Sequence, residues 1–386
     1  MADPRRIDYA RHNEEGRQVW DAYWAGNPIR VPVGNYTIGP RIWVFDPALN
    51  TEGITWRQFS TDPETMFQCQ LKYFDYLHHF IPQDAEMGIP AEGWNIFTEF
   101  SNYTEAAWLG CEIVRLPDQV EATRPRYQGD RRNEIFDRGI PGPFDGIMGT
   151  VREFYEYFVE RARNYEYKGK PVQVTQSWHP IITSGPLTIA VDLCGHEILS
   201  DLYVDPDYFH RLMDFIVEAT ITRILAWREY FGIEAKPEKG GLTDDCIEMI
   251  SVETYRERIL PHHRKLMDAI HGAGPHMMHL CGDAQRHFPT MAKEFNVNHF
   301  DTGFPIRFET LRDELGPDIH IQGGVHVDIL LREDPATVAR ETERILNSGV
   351  TRGGKFIMKE ANNVAPRTPL ANLWAMYETT REKGRY

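Results

Sequence analysis

"PHMMHLCGD", Pro275–Asp283, reads as a short strand running into a turn. Alternate residues of a strand face one side, so Met277, His279 and Cys281 share a face and Met278 and Leu280 take the other. The turn residues Gly282 and Asp283 follow at once, which puts His279 and Cys281 at the strand's C-terminal end. An imidazole and a thiolate side by side suit a borderline-soft ion such as Zn2+. A buried thiol beside a hydrogen-bonded histidine is also open on spacing alone, because zinc sites need three or four ligands.

Outward from this stretch, strands alternate with helices. Upstream, "DPDYFHRLMDFIVEATITRILAWREYFG" is predicted to be a long helix with Asp205 as N-cap and Pro206 in its first turn. "VETYRERILPHHRKLMDAIHGAG" is a second helix, capped by Ser251, kinked or split at Pro261 and ended by Gly272 or Gly274. Within it His262 and His263 are expected on the solvated face. Downstream, "FNVNHFDTG", "DIHIQGGV" and "GKFIM" read as strands, separated by the helices "ETLRDELG" and "DPATVARETERILNSG" and closed by "PLANLWAMYETTREKG". This alternation over roughly the last 190 residues predicts parallel βα units. No G-x-G-x-x-G opens a helix after a strand, so a dinucleotide-binding sheet is disfavoured. The expected fold is an α/β (β/α)8 barrel, in which the C-terminal strand ends carry the active site.

The first half is less regular. "IRVPVGNYTIG" is expected to hold a first strand with a long loop, and "KPVQVTQSWHP" is a strand. We read residues 1–386 as a single barrel domain with an elaborated N-terminal half: a helical extension over about 1–30 and an aromatic-rich elaboration over about 56–170. Trp20, Tyr23, Trp24, Tyr36 and Trp43 are core residues or a lid over a flat ligand.

The formal charge of -15 and the lack of a basic stripe argue against nucleic acid as a partner. No apolar run reaches the ~18 residues of a membrane span, and "MADPRRIDYARHNEEGRQ" has no apolar signal core, so a cytoplasmic location is expected. Five scattered cysteines make a poor disulfide framework.

"HLCGD" resembles the H-x-C-G motif of the uroporphyrinogen decarboxylase-like superfamily, in the branch that includes the methylcobamide:coenzyme M methyltransferases. The resemblance extends from about Thr183 to the end, through "SGPLTIAVDLCGHEILSDLYVDPDYFHRLMDFI", "TDDCIEMISVETYRERILPHHRKLMDAIH", "HIQGGVHVDILL" and "APRTPLANLWAMYETTREKGRY". It implies a (β/α)8 barrel and methyl transfer to or from a cobalt corrinoid (cobalamin-type), carried on a separate corrinoid protein. It also implies a zinc held by the H-x-C pair and a later cysteine. His279 and Cys281 match the first two ligand positions.

Two departures stand out. The later cysteine position is taken by Asn362 in "NNVAPRTP", and no cysteine follows Cys281. Glu360, at the end of "KFIMKE", is the expected oxygen ligand in its place, with Asp244, Asp245 and Asp301 as alternatives; such a site would suit an ether-type methylated substrate. Gly324 and His326 replace the usual asparagine and aspartate of the branch's Q-G-N-x-D-P strand. The expected site is therefore His279, Cys281 and Glu360 on the metal, Asp245 and Glu360 in catalysis, and Tyr36, His179, Gln322, His326 and Asn362 around a small methylated substrate. A homodimer is left open. The rival readings are a decarboxylase and a non-catalytic corrinoid- or metal-binding protein. The decarboxylase branch's arginine-bearing M-R-Q-A-G-R segment survives in "VPVGNYTIGPRIWV" only as Arg41, too little for a tetrapyrrole with many carboxylates.

Overall fold

The computed structural model describes residues 7–386; the first six residues, part of the stretch read for a signal core, lie outside it. The described chain begins with helix α1 (Tyr9–Trp24), and α2 (Pro63–Phe80) follows after a long segment that holds two short helices, Arg41–Val44 and Trp56–Thr61. Then come β1 (Trp94–Ile96), α3 (Ile147–Ala162) and β2 (Lys170–Val174). The second half runs α4 (Pro186–Cys194), α5 (Pro206–Tyr230), β3 (Gly241–Thr243), α6 (Leu260–Ile270), β4 (His276–Leu280) and α7 (Phe288–Glu294). It finishes with β5 (Val297–Thr302), α8 (Phe308–Leu315), β6 (His320–Val325), α9 (Pro335–Leu346), β7 (Phe356–Glu360) and α10 (Leu370–Lys383).

Strands β3 to β7 form one parallel sheet in sequence order, and β1 pairs with β2 in parallel. The predicted first strand is reduced to one parallel bridge, Val33 to Met358 of β7. Prolines at 28 and 32 remove amide donors from this segment, which limits the ladder it can make. With that bridge the segments make the eight staves of a (β/α)8 barrel, each followed by helix.

The local signals act as the sequence implies. The Asp205 carboxylate accepts the Tyr208 amide at the start of α5. Ser251 Oγ accepts the Thr254 amide at 3.0 Å. Pro261 has no amide to donate one turn back, and the turn before it, Tyr255–Ile259, is π-helical. Apolar faces of the helices pack on the outward residues of the strands, so Met278 and Leu280 are buried while His279, on the opposite face, is only partly covered.

Two expectations are corrected here. His262 and His263 are buried rather than solvated. His263 Nε2 lies 2.9 Å from Asp244 Oδ2, and its other nitrogen lies 3.2 Å from the Tyr255 hydroxyl. Of the two readings of the aromatic residues, core or lid, the lid is the one corrected for α1: Tyr23 Oη bonds His320 Nδ1 at 2.7 Å, at the N-terminal start of β6, with the Trp24 ring tilted beside the same imidazole. Helix α1 thus closes the end of the barrel opposite the active-site face, and Trp43 is core.

Candidate active site

At the C-terminal ends of the strands lies a cavity of about 740 Å3. Its far wall is the stretch that opened the sequence reading. The register places Thr243 of β3, His279 of β4, Asp301 of β5 and Gln322 of β6 side by side across the sheet. His279 Nδ1 bonds Asp301 Oδ2 at 2.7 Å, which turns Nε2 toward Cys281 Sγ, 3.1 Å away. The thiol donates to Asn362 Oδ1 at 3.1 Å. The Cys281 amide donates to Asp245 Oδ1 at 2.7 Å. Gly303 is required beside this turn, because a Cβ there would stand 2.6 Å from Cys281 Cα.

Behind Asp301 stands Lys359, fully buried, its Nζ 3.0 Å from Asp301 Oδ1 and 2.7 Å from Thr37 Oγ1. The result is a line of bonded groups: Thr37, Lys359, Asp301, His279, Cys281, Asn362. Burial alone would lower the His279 pKa, but its bonds to Asp301 and Cys281 raise it to about 10. Burial raises Asp301, yet His279 and Lys359 outweigh it and hold the carboxyl at about 2. Burial pushes the Cys281 thiol up against the opposing pull of His279. The pair therefore rests as an imidazolium donating to a neutral thiol.

On the opposite side of the cavity is a second histidine–carboxylate pair, His179 Nε2 to Glu99 Oε1 at 2.9 Å, with the Ser101 amide also donating to Glu99. Burial raises Glu99, but His179 pulls it below the ordinary carboxylate range. Glu105 is paired with the fully buried Arg223, which also donates to the carbonyls of His179, Pro180 and Ile182. Asp192 lines the cavity too, and burial, with Glu105 and Asp244 adding to it, raises its pKa to about 6.

Of the expected residues, His179, Asp245, His279 and Cys281 line the cavity, and Asn362 reaches Cys281. Four expectations are corrected. Glu360 does not join the His279–Cys281 pair: its Oε1 accepts the Thr37 amide at 2.8 Å and lies 3.7 Å from Lys359 Nζ. Strand alternation sends Lys359, one residue earlier, toward Asp301 instead. Burial raises the Glu360 pKa to about 8, so it is a neutral acid there. The Tyr36 hydroxyl is occupied by the Pro82 carbonyl at 3.0 Å. Gln322 lies deeper in the barrel against His299 and Asn35. His326 caps the helix Val327–Arg332 by accepting the Asp328 amide. Asp244 and Asp301 are also occupied, the first by the amides of Leu187 and Thr188 at the start of α4.

The donor set was tested against zinc on this geometry. His279 has its Nδ1 fixed by a carboxylate and its Nε2 beside a cysteine sulfur, the arrangement of a histidine ligand. Among the described residues no three His, Cys, Asp or Glu side chains are gathered in a metal-holding cluster. Of the carboxylates considered, Asp245 has one oxygen on the Cys281 amide and no cation on the other, so it is the one free to turn toward the pair. The residues thus fit a zinc ion as a two-donor start, which Asp245 would complete.

Sequence reasoning missed Glu99, Lys359, Asp192 and the Arg223–Glu105 pair. Glu99 follows β1 at its C-terminal end, so the strand-end rule would have found it had "WNI" been recognised as a strand. Nothing in the sequence signals that Arg223 of α5 is buried.

A barrel with this site has known relatives. The chain belongs to the uroporphyrinogen decarboxylase (URO-D) family, whose sequence profile matches residues 181–383. It is 28% identical over 292 residues to the methylated-thiol–coenzyme M methyltransferase of Methanosarcina mazei, spanning 74% of this chain and 71% of that protein. It is 23% identical over 292 residues to the methylcobamide:CoM methyltransferase MtbA of the same organism, spanning 71% of this chain and 80% of the other. Among solved structures, a methyltransferase from Methanosarcina mazei superposes with a TM-score of 0.63 at 19% identity, covering 95% of this chain and 97% of that one, and shares its fold. Among the described residues, no helix is long and apolar enough to cross a membrane.

Proposed function

We propose that this chain is a methyltransferase that moves a methyl group between a small methylated substrate and a cobalt corrinoid presented by a partner protein. One observation carries the reading: a histidine and a cysteine stand 3.1 Å apart at the strand ends, facing a cavity of substrate size, in a chain whose relatives carry methyltransferase names. A zinc ion held by His279 Nε2 and Cys281 Sγ would supply Lewis acidity to the atom that carries or accepts the methyl group.

The protein's own groups have separable tasks. Asp301, neutralised by Lys359, accepts from His279 Nδ1, holds the ring in one orientation and leaves Nε2 facing the Cys281 sulfur. Asn362 accepts from the thiol and keeps the sulfur turned into the site. Asp245 fixes the Cys281 backbone. His179, oriented by Glu99, faces the substrate from the other wall and exchanges the proton of the group that loses or gains the methyl. The single-domain organisation over residues 1–386 belongs to the same proposal.

The cavity speaks against the decarboxylase alternative. Its walls carry Glu99, Glu105, Glu121, Asp192, Asp245 and Asp301, and among the described residues Arg41 is the one arginine that lines it. A tetrapyrrole with many carboxylates would meet like charge there. The test is spectroscopic. Reduced corrinoid, on its carrier protein or free, is mixed with the enzyme, zinc and a panel of methyl ethers, thioethers and amines. A change in the corrinoid's visible spectrum with at least one donor is expected. Turnover of uroporphyrinogen with no corrinoid response to any donor would overturn the reading.

A further inference from the structure

Tyr103 stands apart among the buried tyrosines of this protein. The others each give the hydroxyl a partner. Tyr36 donates to the Pro82 carbonyl, Tyr73 to that of Ile38, Tyr127 to that of Leu109 and Tyr208 to that of Arg132. Tyr23 and Tyr255 meet histidines, and Tyr377 meets Asp84. Tyr103 is 5% exposed and lines the cavity, yet its hydroxyl has no hydrogen-bond partner among the described residues. The next residue, Thr104, is 1% exposed, lines the same cavity and has an equally unpartnered hydroxyl. Buried polar groups without partners are costly and rare in folded proteins. The nearby carboxylates do not take these hydroxyls up. Glu121 accepts from Trp56 Nε1 at 2.6 Å and from Ser60 Oγ, and Glu99 is bonded to His179 and the Ser101 amide. Burial raises the Tyr103 pKa and Glu121 adds to it, so the phenol keeps its proton to donate.

We propose that Tyr103 and Thr104 determine specificity by seating an uncharged oxygen of the substrate, which therefore carries a hydroxyl or carbonyl besides the atom that bears the methyl group; this rests on the methyl-transfer reading. A phenol donates one hydrogen bond and accepts others, and a threonine hydroxyl does the same. Together they match an oxygen with lone pairs to offer and, in a hydroxyl, a proton to give. An oxyanion is disfavoured at this spot, because the Glu121 carboxylate outweighs Arg115 in its effect on the phenol. Tyr103 and Thr104 follow Glu99 in the loop after β1, on the wall of the His179–Glu99 pair and across the cavity from His279 and Cys281. A substrate held there by its second oxygen presents its other end to the His279–Cys281 pair. A site that hydrogen-bonds a substrate oxygen discriminates against the analogue lacking it, because the buried groups are then left unpaired.

The experiment is a calorimetric titration of the zinc-supplemented protein with no corrinoid present. The methoxyphenol and methoxybenzaldehyde isomers are compared with methoxybenzene, and 2-methoxyethanol with 1-methoxypropane as a shorter pair. The wild-type protein should bind at least one of the oxygen-bearing ligands roughly tenfold more tightly than its counterpart. Tyr103→Phe should erase that preference and Thr104→Val should reduce it. Because the deleted phenol oxygen has no partner in the free protein, Tyr103→Phe should leave methoxybenzene binding and the ligand-free Tm near wild type. Preference for a hydroxyl or for a carbonyl identifies the group, and either supports the subsite. The proposal is overturned if no oxygen-bearing ligand outbinds its counterpart in the wild type, a result that needs no variant to fold. It is also overturned if Tyr103→Phe keeps the preference, as it would if zinc took the oxygen, or if that variant's ligand-free Tm falls markedly, which would give the hydroxyl a structural partner instead. A corrinoid response to methoxybenzene with no oxygen preference would keep methyl transfer and remove the subsite. An oxygen preference lost in Tyr103→Phe, without any corrinoid response, would do the reverse.

Discussion

The two halves of this barrel reach the same cavity by different means. From β3 to β7 the strands form an unbroken parallel ladder, and its residues supply His279, Cys281, Asp301 and Lys359. The first half offers one bridge at Val33, one short strand pair and long irregular segments, which supply Thr37, Arg41, Glu99 and Glu105. A ladder fixes neighbouring side chains in register, as reacting groups require; irregular backbone reaches around a ligand and can vary without disturbing the sheet. The family profile matches the ladder half, residues 181–383, and not the other. The proposed function accordingly draws the His279–Cys281 pair from the ladder and the His179–Glu99 pair from the irregular half.

The largest expected effect comes from separating the halves. Arg223 of α5 is fully buried against Glu105. Arg223→Met leaves that carboxylate unpaired and should cost about 3–5 kcal/mol of stability in urea unfolding. A loss below about 1 kcal/mol would mean the halves are joined elsewhere. Next, His279→Ala and Cys281→Ser should each lower corrinoid methylation by roughly 100-fold or more and lose bound zinc, while substrate binding by calorimetry stays near wild type. Loss of substrate binding instead would blur the division between the halves.

The seam between them gives the third test. Glu360 titrates at about 8 in the fold against an ordinary 4.5, because it is buried. Its contribution to stability is complete below about pH 4.5 and is lost as pH rises toward 8, since the unfolded chain releases the proton first. Glu360→Gln should therefore match the wild type at pH 4 and exceed it by roughly 3 kcal/mol at pH 7. Equal pH profiles for the two proteins would show that Glu360 ionises freely in the fold. The smallest effect is expected from Lys359→Met, which leaves Asp301 on His279 but without its counter-charge. Turnover should fall roughly tenfold with KM unchanged; a change in KM alone would place Lys359 on the substrate side.

The sequence was most readable where a ladder forms. Alternation in "PHMMHLCGD", "DIHIQGGV" and "GKFIM" foretold β4, β6 and β7, and the turn after Leu280 foretold which end carries the site. What failed were partners far apart in the chain. His263 looked solvated because its partner, Asp244, sits on another element. Alternation showed that Lys359 and Glu360 face opposite ways but not which one looks inward; that depends on Thr37, 322 residues away from Lys359. On the cavity's first-half wall His179 was legible beyond the strand in "KPVQVTQSWHP", whereas Glu99 follows a three-residue strand too short to show a period.

The single bridge between Val33 and Met358 also sets a timetable. The stave that closes the barrel is made long before its partner. At about 5–20 residues per second, the residues around Val33 leave the ribosome some tens of seconds before β7 exists to receive them. Through that interval the segment has only its first-half partners, Asp84 for Val33, Pro82 for Tyr36 and Tyr73 for Ile38, and Thr37 lacks Lys359 and Glu360. The β3–β7 ladder can assemble between neighbours as they appear, whereas the wall around Thr37 is set only once β7 has emerged. Translation speed and chaperone supply should therefore bear on the finished cavity more than on the sheet behind it.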